Sequence, residues 1–385
     1  MNKNQKLYPF KFEAAGLDEN SVVANGFLSE NTVDDIIETY LGEIAGNDNF
    51  QYYKGIFPTR ITFNSIEKEL PLQTHPDNFT AAERYMSLGK EKVWYITKST
   101  PQTTMFLGFK EQMDATGFYN GCIAGTIEEN LYSFNPQEGE YIYIKPGCIH
   151  GVKGYLEFIE ISQNSDVTYH LTGEDASLEV AEAIDIIDYN ATDESACRFT
   201  DINIGTNGFI IKRVATINAT SQESFSVAPQ ESFIAYLCIN GSATIEHEGK
   251  SYELGKNEII LIPAGMSGFK FTVNGNGSEI LEITLPKVSE IEEDLYMNYY
   301  EDESNYPTGS GTDPEEDEDF DDEDFDDEDF DDEDEDCGCG HHHCGDDCHC
   351  ESHGHHHHHG EQHLEDEHDN DDHKGQHPGE FFFRR

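Results

Sequence analysis

The feature that most constrains this chain is a long succession of short apolar runs. Each is rich in β-branched and aromatic residues and each is closed by Gly, Pro, Asn or Asp. Residues 61–64, 92–97, 103–109, 140–144 and 155–161 are of this kind, and a second series covers 208–216, 232–240, 242–248, 250–254, 258–265 and 279–286. Runs of about four to eight such residues between turn formers read as strands. Asn240-Gly241 and Glu248-Gly249 fall where tight hairpin turns belong. The pattern predicts an all-β chain of sandwich or jelly-roll type with a few helices. Residues 31–46 carry apolar side chains at helical spacing after an Asn-Thr start and predict a surface helix. Residues 79–89, 111–132 and 176–187 read as further helical stretches.

Charge divides the chain in two. Residues 1–290 carry 41 acidic and 20 basic side chains, whereas residues 291–385 carry 37 acidic and 3 basic ones. Neither part has the clustered Lys and Arg that nucleic acid or an anionic membrane surface requires, so neither is an expected partner. No run is long and apolar enough to span a bilayer, and the first residues lack the apolar core of a signal peptide. The expected location is therefore the cytoplasm. Cys122, Cys148, Cys197 and Cys238 are scattered, as reduced structural cysteines usually are.

Five stretches resemble the type I mannose-6-phosphate isomerase family, which belongs to the cupin superfamily. They are residues 7–12, 21–26, 57–78 with a Gln-x-His-Pro-Asp string, 89–95, and 139–170 with Ile-x-Gln-x-Ser-Asp-x-Thr-Tyr. The resemblance implies two jelly-roll cupin domains. A catalytic-type cupin with helical insertions is expected over 1–170, a connection over 171–206, and a second, metal-less cupin over 207–290. A disordered acidic tail rich in His and Cys follows over 291–385. The resemblance also implies a zinc-dependent interconversion of mannose 6-phosphate and fructose 6-phosphate, with a sugar phosphate as partner. The rival reading is a catalytically silent cupin that binds a sugar or metal ion, with a tail that buffers transition metals.

Carried over residue by residue, the resemblance makes Gln73, His75 and His150 metal ligands. Gln73 and His75 lie two apart, so one strand face presents both. Lys90 keeps a lysine that lines the family's sugar-phosphate site. Three positions depart. Lys92 stands where the family has its glutamate ligand, which leaves Glu91 as a substitute only through a bulge or register slip. His170 stands where the family has its catalytic arginine and lacks that residue's permanent forked charge. Thr62 replaces a lysine. In the second domain the position of a metal histidine is Gly268, and His247 in a polar hairpin is expected at the surface.

The tail is a separate chemical device. The unit Phe-Asp-Asp-Glu-Asp begins at Phe320, Phe325 and Phe330, and such a sequence cannot bury a core. Behind it Cys337, Cys339, Cys344, Cys348 and Cys350 alternate with His341, His342, His343 and His349. Thiolate and imidazole suit zinc or nickel, and the spacing matches no single closed finger. A peptide spanning residues 308–385 is expected to take up several zinc or nickel ions at neutral pH in a metal titration. A stoichiometry of zero would contradict this reading.

Overall fold

A computed structural model describes residues 6–12, 16–172, 176–215, 223–275 and 277–291. The tail positions expected to bind metal, and the repeat that precedes them, lie outside the described residues.

Ten strands form the first sandwich. One sheet has the order Tyr169–His170, Glu69–Thr74, His150–Lys153, Thr104–Phe109, Leu131–Phe134. The other runs Arg198–Phe199, Tyr141–Ile144, Lys92–Ser99, Leu156–Gln163, Thr59–Ile66. All these ladders are antiparallel. Their inner faces meet in a core that includes Trp94, Ile96 and Phe158 from one sheet and Met105, Leu107 and Val152 from the other.

The second sandwich pairs a six-stranded sheet with a four-stranded one. Tyr236, Ile260 and Ile280 face Ile245, Phe269 and Phe271 across an apolar interior. The first strand of the chain, Phe10–Phe12, does not stay with the strands that follow it. It pairs antiparallel with Ile259–Leu261 and forms the edge of the six-stranded sheet. The two sandwiches are thus stitched at the N-terminus. They also share a core, since Ile61, Val93 and Ile159 pack with Phe233, Leu237 and Leu281 in one cluster.

The expected helix over 31–46 is two short pieces, Val33–Tyr40 and Gly42–Ala45, and a third, Asn47–Tyr52, follows it. Thr32 and Asp35 form a capping box at its start. It breaks at Leu41, whose φ is 54°. The apolar side of its first piece, Val33, Ile36, Ile37 and Tyr40, is buried in the shared core. Helices Ala115–Ala124 and Ala176–Ala183 cover the outer face of the sheet that carries Glu69–Thr74.

Two second-domain expectations meet different fates. A side chain at Gly268 would meet the Val227 carbonyl oxygen at 2.7 Å, so the position cannot carry a metal ligand without moving backbone. His247, expected at the surface, is 5% exposed. Alternation explains the correction: Ala243, Ile245 and His247 share the inward face of Ser242–His247, and the pattern runs to the hairpin turn. Cys122, Cys148, Cys197 and Cys238 are all free thiols, the second and fourth of them buried. No helix among the described residues is long and apolar enough to cross a membrane.

Candidate active site

Strand alternation builds the site. In Lys92–Ser99 the side chains of Lys92, Trp94 and Ile96 share one face, and in Leu156–Gln163 so do Leu156, Phe158 and Glu160. That face looks into the first sandwich, because Trp94, Ile96, Leu156 and Phe158 belong to its core. Trp94 and Glu160 are opposite each other in the ladder. Trp94 Nε1 donates to Glu160 Oε2 at 2.7 Å, and Lys92 Nζ stands 3.5 Å from the same oxygen. The facing sheet supplies Gln73, opposite His150 in its own ladder, and His75 two residues further on.

Both imidazoles have a defined tautomer. His150 Nδ1 lies 3.0 Å from the Cys148 carbonyl oxygen, which can only accept, so Nδ1 carries the proton. Its Nε2 lone pair then accepts from the Gln73 side-chain amide at 3.2 Å. His75 Nδ1 likewise donates to the Val167 carbonyl oxygen at 2.8 Å. His75 Nε2 is buried and has no hydrogen-bond partner among the described residues. The two ring centroids are 5.1 Å apart, and Trp94 stands edge-on to His150 at 5.9 Å.

The charges explain the protonation states. Burial and then the Lys92 ammonium hold His150 down to about 3, and the same two causes hold His75 well below the usual imidazole value. Burial lowers Lys92 to about 8 in spite of Glu160. Burial alone would raise the Glu160 carboxyl, but Lys92, Lys90 and the Trp94 N–H together bring it down to about 2. The site at neutral pH is therefore an ammonium–carboxylate pair beside two neutral imidazoles.

The structure brings Gln73, His75 and His150 together, with Lys92 pointing at them. Lys90 is 9% exposed and lies near enough to Glu160, Arg60 and Asp166 to feel their charges. Glu91 is elsewhere. The ladder is regular from Lys92 to Ile96, with its irregularity only between Ile96 and Lys98, so no slip turns Glu91 inward. Its carboxylate accepts from Tyr143 Oη at 3.2 Å and lines a separate cavity of about 580 Å³ with Gln163 and Thr206. Burial raises its pKa. His170 is opposite Gln73 in the ladder but on the edge strand. Its side chain is 54% exposed and meets Glu179 at 2.9 Å. It sits at the rim and not in the cluster. Beside that rim a cleft of about 680 Å³ is lined by Arg60, Tyr85, Asp166, Thr168, Tyr169 and Glu179, among others. Glu160 and Arg60 escaped the sequence reading. The signal for Glu160 was present: it is the one acid that shares a strand face with Leu156 and Phe158.

Residues 216–282 match the family described as mannose-6-phosphate isomerase, cupin domain. Mannose-6-phosphate isomerase ManA of Bacillus subtilis is 23% identical over 278 residues, 67% of this chain and 84% of that protein. The mannose-6-phosphate isomerase of Streptococcus mutans is 25% identical over 175 residues, 43% of this chain and 54% of that one. The chain is similar to members of the type I mannose-6-phosphate isomerase family. Among solved structures, the mannose 6-phosphate isomerase of Bacillus subtilis has the same fold, with a TM-score of 0.52 at 22% identity over 69% of this chain and 85% of that one. The family match covers the second sandwich, whereas the imidazole cluster lies in the first.

The resemblance invites the question of zinc. Zinc favours four N, S or O ligands with their lone pairs free. Here the His75 Nε2 lone pair is unengaged, the His150 Nε2 lone pair is taken by the Gln73 amide, and the Glu160 carboxylate is already neutralised by Lys92. Among the described residues no three His, Cys, Asp or Glu side chains converge as a metal would need. The residues present do not suit a zinc ion while the Lys92 ammonium faces them.

Neutral buried histidines make stability pH-dependent. An unfolded imidazole takes a proton near 6.5, whereas His150 in the folded chain does so only near about 3. Between those values the unfolded chain binds more protons, so stability falls as pH drops. For His150 the loss between about pH 7 and pH 5 is about 2 kcal/mol. Urea unfolding at the two pH values is expected to show it, and His150→Gln is expected to remove that share. An equal loss in the variant would contradict the assignment.

Proposed function

We propose that this chain is a sugar-phosphate-binding member of the isomerase family whose interconversion of mannose 6-phosphate and fructose 6-phosphate is slow. The observation that carries the reading is Lys90. The residue is 9% exposed, and among the described residues its ammonium makes no ion pair. It lies within the electrostatic reach of Arg60 and Asp166, two residues of the cleft wall. A mostly buried lysine that feels Glu160 but forms no ion pair with it, close behind the wall of an open cleft, suits an incoming phosphate.

The rest of the cleft sets the limits. Arg60 is already paired with Asp166 at 2.6 Å, and Glu19, Asp34, Glu179 and Glu182 also line the space. Those carboxylates offer acceptors for sugar hydroxyls and repel a second charge, so the affinity for a hexose monophosphate is expected to be modest. The slow turnover follows from the centre. An aldose–ketose isomerisation needs a base to move a proton and an electrophile to hold the developing enediolate charge. The ammonium of Lys92 is neutralised by Glu160, and His170 faces Glu179 at the rim. Neither replaces a polarising metal ion or an arginine aimed at the substrate.

Two measurements on the full chain test this. Calorimetric titration with mannose 6-phosphate is expected to show binding that Lys90→Ala weakens at least about tenfold, the loss of one charge-assisted contact. A coupled assay is expected to give turnover below about 1 per second, against a median near 10 per second for enzymes. Absence of binding would favour the rival metal-buffering cupin. Turnover at the enzyme median would contradict the account of Lys92 and His170.

A further inference from the structure

The interior of the first sandwich contains an acceptor-rich point that needs a positive charge. The Glu160 carboxylate accepts from Trp94, the His150 Nε2 lone pair accepts from the Gln73 amide, and the His75 ring stands 5.1 Å from that of His150. His75 Nε2 is the telling atom: it is fully buried and has no hydrogen-bond partner among the described residues, although its Nδ1 is held in place by Val167. A buried polar atom left unpaired at a prepared site calls for an explanation. Backbone carbonyls that lock Nδ1–H and leave Nε2 free are the arrangement by which proteins orient imidazoles towards a cation.

The cation present is the ammonium of Lys92. It is 3% exposed and stands 3.5 Å from Glu160 Oε2. Its ring neighbour Trp94, with the ammonium 5.7 Å from the ring centroid, touches both Glu160 and His150. Thr62, directly opposite Glu160 in the ladder, contributes no charge. Lysine has thus entered the cluster from the neighbouring strand, at the position where the family resemblance expects a metal-binding glutamate.

We propose that the Lys92 ammonium is the resident cation of this site, that it excludes divalent metal from the first sandwich, and that its removal lets Gln73, His75, His150 and Glu160, which are not gathered for a metal as they stand, close into a divalent-metal site. The lysine supplies one positive charge to Glu160 and fills the space between the sheets. Without it, Glu160 is a buried carboxylate with no counter-ion, and the cluster offers one carboxylate oxygen, two imidazole nitrogens and one amide. That is a donor set suited to zinc or cobalt(II). The inference stands on the packing of these side chains and not on which sugar the cleft binds.

The test counts metal ions on the full chain, so that any uptake by the tail is common to every variant. Wild type, Lys92→Ala and Lys92→Gln are dialysed against cobalt(II), and bound metal is measured together with the visible absorption of the ion. Lys92→Ala is expected to hold one equivalent more than wild type, and to lose it again when combined with His75→Ala. Zinc is expected to raise the melting temperature of Lys92→Ala and to leave that of wild type unchanged. Should Lys92→Ala not fold, Lys92→Gln, which keeps a neutral donor for Glu160, carries the same comparison. Equal metal content in wild type and the Lys92 variants overturns the proposal. So does a wild type that loses one equivalent on His75→Ala alone, because the metal would then coexist with the lysine.

Discussion

The ion pair of Lys92 and Glu160 is the interaction on which the candidate site depends. Both groups are on the inward face of one sheet, in a core otherwise built from Trp94, Ile96, Leu156 and Phe158. A buried charge in such surroundings survives only with a partner, and removing one member of such a pair costs about 3–5 kcal/mol. The pair is not a gain in stability over an apolar core of the same shape. It is a local constraint: wherever Lys92 points, Glu160 must follow, and the Trp94 N–H is drawn to the same oxygen.

The constraint propagates to the facing sheet. Burial, and then the Lys92 charge, keep both imidazoles neutral, and the carbonyls of Cys148 and Val167 hold the one proton of each on Nδ1. The Gln73 amide then has one role open to it, donation to His150. The tautomers thus follow from the backbone, and the amide orientation follows from the tautomer of His150. Lys92 separates this chain's chemistry from what its resemblance to the isomerases implies. The fold is that of a mannose-6-phosphate isomerase, and the centre is organised around an ammonium.

Much of this was legible in the sequence, for reasons that are local. The two-residue spacing of Gln73 and His75, and the apolar runs between turn formers, report directly on strand faces. The opposite orientations of Glu91 and Lys92 follow from the same alternation. What was not legible depends on which strands meet. Nothing near Phe10 says that it will pair with Leu261 in the other sandwich. Only the pairing of Lys92–Ser99 with Leu156–Gln163 makes Glu160 the neighbour of Lys92. His170 has a position in the ladder beside Gln73, yet it is on an edge strand, and the approach of Glu179 from a helix turns it outward. His247 misled for the opposite reason: a polar turn beside it suggested solvent, while its place in the alternation sent it inward.

The central claim is that a charged Lys92 side chain is buried against Glu160. Nitrogen-15 NMR of the lysine side chains, with Lys92 assigned through Lys92→Gln, measures this directly by pH titration. The account predicts that Lys92 titrates near about 8, well below the 10.5 of an ordinary lysine, because burial outweighs the attraction of Glu160. A Lys92 signal titrating with the exposed lysines near 10.5 would place its ammonium in solvent and contradict the account.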